Sequence, residues 1–209
     1  MATYISQNMS LNQEIKEDNK EVIVASSVPS PSPLPSPSPL PSPSPLPSPF
    51  HSLADTWTLW AHLPHDTDWS IKSYKKILTF NTVEEAIAIT RTIPEVLTTN
   101  CMLFLMRNGI APMWEDPKNK KGGCFSYKIT NKNVYQIWSE LSYALVGNTI
   151  SANVPFIEAV TGITISPKKH FCIIKIWMTN SVFQQPTIVT NEIKNFGPQG
   201  CLFKKHGEN

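Results

Sequence analysis

Gly109-Ile110-Ala111-Pro112-Met113-Trp114-Glu115-Asp116, continued by Lys118-Asn119-Lys120-Lys121-Gly122-Gly123, sets an indole, a carboxylate and a cluster of ammonium groups within one loop. Asn108-Gly109 supplies a turn just before it, after an apolar run Met102–Arg107 that reads as a strand. Gly123–Ile129 behind it reads as another. Those residue types suit a planar, cationic, phosphorylated ligand. An indole stacks on a cation, a carboxylate accepts hydrogen bonds from the edge of a base, and ammonium groups offset phosphate charge.

Outward from this loop, the order after Pro49 is strand, helix, strand. Asp55–His62 and Ile77–Phe80 read as earlier strands, and Ala159–Ser166, Phe171–Thr179 and Cys201–Lys204 add up to three more. One helix opens with Thr82 and Glu85 in capping-box spacing and carries Val83, Ala86, Ile87 and Ile89 before Pro94 forbids continuation. A second places Val134, Ile137, Trp138, Leu141 and Leu145 at helical spacing, with Gly147 as its stop. A shorter third is expected from Pro186 to Lys194. An antiparallel sheet with helices on one face satisfies this order, because the apolar face of a sheet must be covered. The fold class is α+β.

The chain has 209 residues. From Pro29 to Pro49 every second residue is proline, and Leu34, Leu40 and Leu46 mark a P-S-P-S-P-L repeat. Such a segment is expected to be a polyproline II rod of about 3.1 Å per residue. The expected organisation is a disordered polar tail over 1–28, a Pro/Ser-rich linker over 29–49, and one folded domain over 50–209. Two Lys stand against four acidic residues before Phe50, and 14 Lys plus two Arg against 12 acidic residues from there on. That mild positive balance suits contact with a few phosphates and not the coating of long nucleic acid. Cys101, Cys124, Cys172 and Cys201 are widely spaced with no C-x-x-C pair, so neither a structural metal nor a redox dithiol is indicated. No run approaches the ~20 apolar residues of a membrane span, so a cytoplasmic monomer is expected.

Six tryptophans need sorting between core and ligand. Trp138 lies on the apolar stripe of its helix and belongs to the core. Trp57 and Trp60 fall on opposite faces of a strand, so at least one is covered. Trp69 follows the polar run His62-Leu63-Pro64-His65-Asp66-Thr67-Asp68, and Trp114 follows a proline-containing loop, so neither has a periodic reason for burial. Trp177 ends an Ile-Lys-Ile-Trp alternation and is open to either face. Two indoles on separate loops can sandwich one base, at ~1–3 kcal/mol per stacked base. A cationic base adds a cation–π contribution of about 2 kcal/mol. The 7-methylguanosine cap of messenger RNA is such a base, and Glu115 can take its N1–H and exocyclic amine. Taken singly, Glu115 and the loop lysines would be read as solvated surface charges.

These residues resemble the translation initiation factor 4E family. The matching segments are His51-Ser52-Leu53 with Trp57-x-x-Trp60, then Trp69, then Phe80-Asn81-Thr82-Val83-Glu84-Glu85, then the quoted loop. Trp138-x-Glu140 with Gly147, and Ile176-Trp177, complete it over about residues 50–180. The resemblance implies a cupped antiparallel sheet backed by about three helices on its convex face, with the cap in the concave side. It implies that Trp69 and Trp114 sandwich the base, Glu115 reads its edge and Trp177 touches the N7 methyl group. It further implies a helical surface, carrying His51, Val83, Ile87, Glu140 and Tyr143, for a helix of a factor 4G-like scaffold or a repressor.

The chain departs from the family pattern at Ile87 and Cys124, which stand where a tryptophan and a phosphate-binding arginine are usual, and at Ser52 and Ser166. Lys168 and Lys169, then Lys204 and Lys205, are the expected replacements for the arginines. The expected function is cap binding for translation initiation, with a cap-holding repressor or decoy as the alternative. No G-x-G-x-x-G follows a strand and no catalytic carboxylate pair stands out, so no enzymatic activity, catalytic residue, metal or cofactor is expected.

Overall fold

A computed structural model describes residues 49–207. The polar tail and the proline repeat up to Ser48 lie outside the described residues. Seven strands form one sheet, β1 (Ser52–His62), β2 (Tyr74–Thr82), β3 (Met102–Arg107), β4 (Gly123–Thr130), β5 (Val160–Pro167), β6 (Phe171–Met178) and β7 (Leu202–Lys205). Their order is β2-β1-β3-β5-β6-β4-β7 and every pairing is antiparallel. The strands agree with the sequence reading to within a few residues at each end, with Met102–Arg107 unchanged.

Four α-helices join them: α1 (Val83–Thr92), α2 (Glu95–Asn100), α3 (Asn131–Val146) and α4 (Val154–Ala159). The Thr82 hydroxyl accepts from the Glu85 backbone N–H while the Glu85 carboxylate receives the Thr82 N–H, so the expected capping box closes. Gly147 ends α3, its N–H donating to Tyr143 O at 2.9 Å. The third helix expected over 186–194 is a correction: only the 3-10 turn Pro186–Ile188 forms there. Two single-turn helices were not anticipated. Pro94 N-caps α2, and the Asn153 side chain caps α4 by accepting from Phe156 N–H.

The period-2 alternation of the strands divides the sheet into two chemistries. Leu59, Leu105, Ile163, Ile176 and Phe125 are aligned across five strands and buried with Val134, Ile137, Trp138, Leu141 and Leu145 of α3. Each such aliphatic side chain withdrawn from water contributes about 1.5–3 kcal/mol. Trp57 belongs to this core with Trp138, whereas Trp60 faces the other side beside Phe104, Met106 and Ile110. That other side also carries Trp177, Thr164, Lys175, Cys124 and Ser126, which sit in register with one another across β5, β6 and β4. The helices cover the first face and not this second one.

Candidate functional site

The loop from Gly109 to Gly122 is held by its own polar side chains. The Asp116 carboxylate accepts from Ala111 N–H and Lys118 N–H, both at 2.8 Å. The fully buried Asn119 donates its amide to Met113 O at 2.8 Å and Ala111 O at 3.2 Å. Those bonds fix the backbone on either side of Trp114, whose ring stays 43 % exposed. Gly122 is required for a close approach: a Cβ there would lie 1.7 Å from Met178 O at the end of β6. Gly207, at φ +74°, lies against the indole, and a Cβ on it would stand 3.4 Å from Trp114 Cζ3.

Trp69, 55 % exposed, is braced from behind the β1–β2 connection. His62 closes β1 and stacks on it with ring centroids 4.3 Å apart and planes 5° from parallel. His62 Nε2 donates to Asp68 O at 2.9 Å, since a carbonyl only accepts. The Asp68 carboxylate takes the Ser70 N–H at 2.7 Å and its hydroxyl at 2.9 Å, and these bonds hold it below its ordinary carboxylate value. Tyr74 packs edge-on against both His62 and Phe104. Burial, then the charge of Glu115, pushes the Tyr74 phenol up, so Glu115 exerts its field toward the same side of the sheet.

A cavity of about 280 Å³ opens between Trp114 and β7, lined by Trp177, Lys175, Cys124, Lys204, Lys205 and His206. Trp177 is buried and its Nε1–H donates to Thr164 Oγ1 at 3.2 Å. Cys124 pairs with Trp177 on one side and Lys204 on the other, which places the three in one cross-sheet row. Burial pushes the Cys124 thiol up against the opposing pull of the Lys175 and Lys204 charges, so it is a neutral thiol near pH 7. Burial also lowers His206, which keeps its imidazole neutral, and Lys175 adds to that effect.

Of the residues expected in the site, Trp114, Trp177, Lys204 and Lys205 line this cavity. Trp69 and Glu115 lie on the flanking loops outside its lining. Lys168 and Lys169 are exposed on the β5–β6 turn, where Lys168 N–H closes onto Phe171 O at 2.8 Å. That turn is six residues from Trp177 along β6, about 20 Å at strand rise, whereas Lys175 is two residues and about 7 Å away on the same face. Lys175, Asn119 and His62 were not among the expected site residues. Alternation in Ile174-Lys175-Ile176-Trp177 carried the signal for Lys175, since whichever face takes Trp177 takes Lys175 as well.

On the helical face, Val83, Ile87 and Tyr143 line an apolar cavity of about 360 Å³ with Leu53, Ala86, Arg91 and Val146. His51 and Glu140 are not part of it. His51 Nδ1 lies 2.7 Å from Glu84, and Glu140 accepts from Gln136 at 2.8 Å. A more voluminous cavity, about 810 Å³, lies elsewhere, between the end of α3 and the segment 187–199, with Glu192 as the one charged residue of its lining. Among the described residues no cluster of His, Cys, Asp or Glu is arranged to hold a metal ion. No described helix is long and apolar enough to cross a membrane.

Comparison with known proteins places this architecture. The profile of the family Eukaryotic initiation factor 4E matches residues 52–198. Eukaryotic translation initiation factor 4E-2 of Schizosaccharomyces pombe is 34 % identical over 136 residues, covering 62 % of this chain and 54 % of that one. Eukaryotic translation initiation factor 4E of Saccharomyces cerevisiae is 30 % identical over 145 residues, 66 % of each. The chain thus spans about half to two thirds of the length of these relatives. Among solved structures, schistosome eIF4E complexed with m7GpppG and 4E-BP superposes with a TM-score of 0.58 at 25 % identity, covering 64 % of this chain and 74 % of that one. Ascaris suum eIF4E-3 with m7G cap gives 0.56 at 24 % identity, covering 64 % and 76 %, and bears on the fold alone. With the seven-stranded sheet, the helices on one face and the matched profile in agreement, this chain belongs to the eukaryotic initiation factor 4E family.

Proposed function

We propose that the open face of the sheet binds the 7-methylguanosine cap of messenger RNA for translation initiation, by recognition without turnover. The observation that carries this reading is the pair of exposed indoles, Trp69 and Trp114, on separate loops, the first braced by the stack on His62 and the second held by the Asn119 amide. Large exposed aromatics held rigid are costly unless a ligand covers them. Trp69 and Trp114 stack on the two faces of the methylated base, Glu115 accepts from its N1–H and amine, and Trp177 meets the methyl group. Lys175 and Lys204, with Lys205 at the rim, take the phosphates in place of the family's arginines. The family likeness supports the assignment, as does the schistosome relative's complex with m7GpppG.

The helical-face cavity beside Ile87 supports a retained partner site for a scaffold or repressor helix. A cap-holding decoy predicts instead that no such peptide is captured. Tryptophan fluorescence titration with 7-methyl-GTP beside GTP tests the cap reading. Quenching with at least tenfold preference for the methylated base, about 1.4 kcal/mol, is expected. Equal affinity for both, or no quenching, would overturn it.

A further inference from the structure

His206 is held in the cavity by one nitrogen and leaves the other without a partner. Its Nδ1 lies 2.7 Å from Asn119 O, and a carbonyl only accepts, so Nδ1 carries the hydrogen. In a neutral ring Nε2 is then a bare acceptor, and it is buried with no hydrogen-bond partner. The ring leans on Trp177 with centroids 4.8 Å apart, and the His206 backbone N–H donates to Gly122 O at 3.0 Å. His206 therefore ties the Trp114 loop, β6 and β7 together at the wall of the cavity.

The surroundings decide which species can satisfy Nε2. The charged and titratable groups that line the cavity with it are Lys175 from β6, Cys124 from β4, and Lys204 and Lys205 from β7, which ends just before it. On the Trp114 loop, Asp116 is turned inward onto Ala111 N–H and Lys118 N–H, and the polar contact to the ring is the Asn119 carbonyl. No carboxylate lines the cavity. It is thus built to take an anion, and a bare imidazole acceptor beside phosphate oxygens would set lone pair against lone pair.

We propose that His206 is a proton-linked anion contact of this site: when a polyphosphate enters the cavity, Nε2 takes one proton from solvent and donates it as a hydrogen bond to a phosphate oxygen. The proton adds to the free lone pair and no covalent bond of the ligand is made or broken, while the Nδ1–H bond to Asn119 persists throughout. The inference deepens the cap reading but requires only the anion. Burial and Lys175 keep the empty ring neutral near pH 7 by lowering its midpoint below the ordinary imidazole value, and the incoming negative charge raises it. Between the two midpoints affinity increases as pH falls, by up to tenfold per pH unit for one proton, and outside that window this group contributes no pH dependence.

The test is NMR titration of the histidine Cε1–H signals in the full chain, free and saturated with inorganic tripolyphosphate or with 7-methyl-GTP. His206→Asn identifies the signal and keeps a donor where Nδ1 stood. A rise of the His206 midpoint by about one unit or more with tripolyphosphate is expected. The wild-type to His206→Asn ratio of tripolyphosphate affinity should be near one at pH 8 and reach fivefold or more at pH 6. An unmoved midpoint, or a ratio that does not change with pH, would overturn the proposal. A rise with tripolyphosphate but no binding of 7-methyl-GTP would sustain it and remove the cap reading.

Discussion

Replacing Lys175 by methionine removes one positive charge from the cavity while keeping the length of the stem that packs on the sheet. Lys175 is half-buried two residues from Trp177, on the strand face that also carries Thr164 and Ser126 in register. A hydrogen bond to a charged partner at such a site contributes about 1.5–3 kcal/mol. Lys204 shares the anion and the methionine relieves the cost of burying a charge, so the lower end applies, about 1.5 kcal/mol or roughly tenfold in affinity. Fluorescence titration of Lys175→Met should show that loss for 7-methyl-GTP and less than twofold change for the nucleoside 7-methylguanosine, which has no phosphate. Lys168→Ala with Lys169→Ala, on the exposed turn, should leave both ligands within about twofold, because exposed lysines more than a Debye length from the anion are screened. Equal losses on nucleoside and nucleotide, or a larger effect at the turn than at Lys175, would refute the assignment of the phosphate side.

Trp114→Ala or Glu115→Ala should abolish retention on cap-analogue resin with the far-ultraviolet circular dichroism unchanged, since both side chains are exposed. Retention at the wild-type level by either variant would remove that residue from the site. Thr82→Ala opens the capping box and should cost about 1 kcal/mol, read as a lower thermal midpoint. The Thr82 hydroxyl also donates to Glu85 and helps hold its carboxyl below the ordinary value. That contribution is present above the unfolded carboxyl value and disappears as pH falls through the depressed folded one, so the gap in stability between wild type and Thr82→Ala should narrow over that range and keep the part due to the Glu85 N–H bond. Gly122→Ala has no room for its methyl against Met178 O and should cost ~1–3 kcal/mol in urea melts while loosening cap retention.

Local signals carried most of the architecture. The capping-box pair Thr82 and Glu85, the stripe ending at Gly147, the apolar run of β3 and the alternation in β4 are properties of short windows, and each forms where its window predicts. α2 and α4 were silent because a six-residue helix is too short to show a period, and their starts rest on Pro94 and Asn153, residues that equally begin turns. The segment 186–194 buries Val189 and Ile193 in the main core, yet it forms only a single 3-10 turn at Pro186–Ile188.

For the candidate site, sequence determined the chemical vocabulary: two indoles outside any periodic stripe, a carboxylate beside one of them, and lysines near the carboxy terminus. Which lysines line the cavity depended on tertiary pairing. β7 lies beside β4 and β6 on its other side, and that arrangement sets Lys204, Cys124 and Trp177 in one row although 80 residues separate the first two. The choice of face for Trp177 also carried Lys175 into the cavity and left the β5–β6 turn outside it. His206 acquired its role only from the partners that fold around it, the Asn119 carbonyl on one nitrogen and none on the other. A residue's type is written in the chain, but the burial and neighbours that tune its charge come from strands brought together across the sheet.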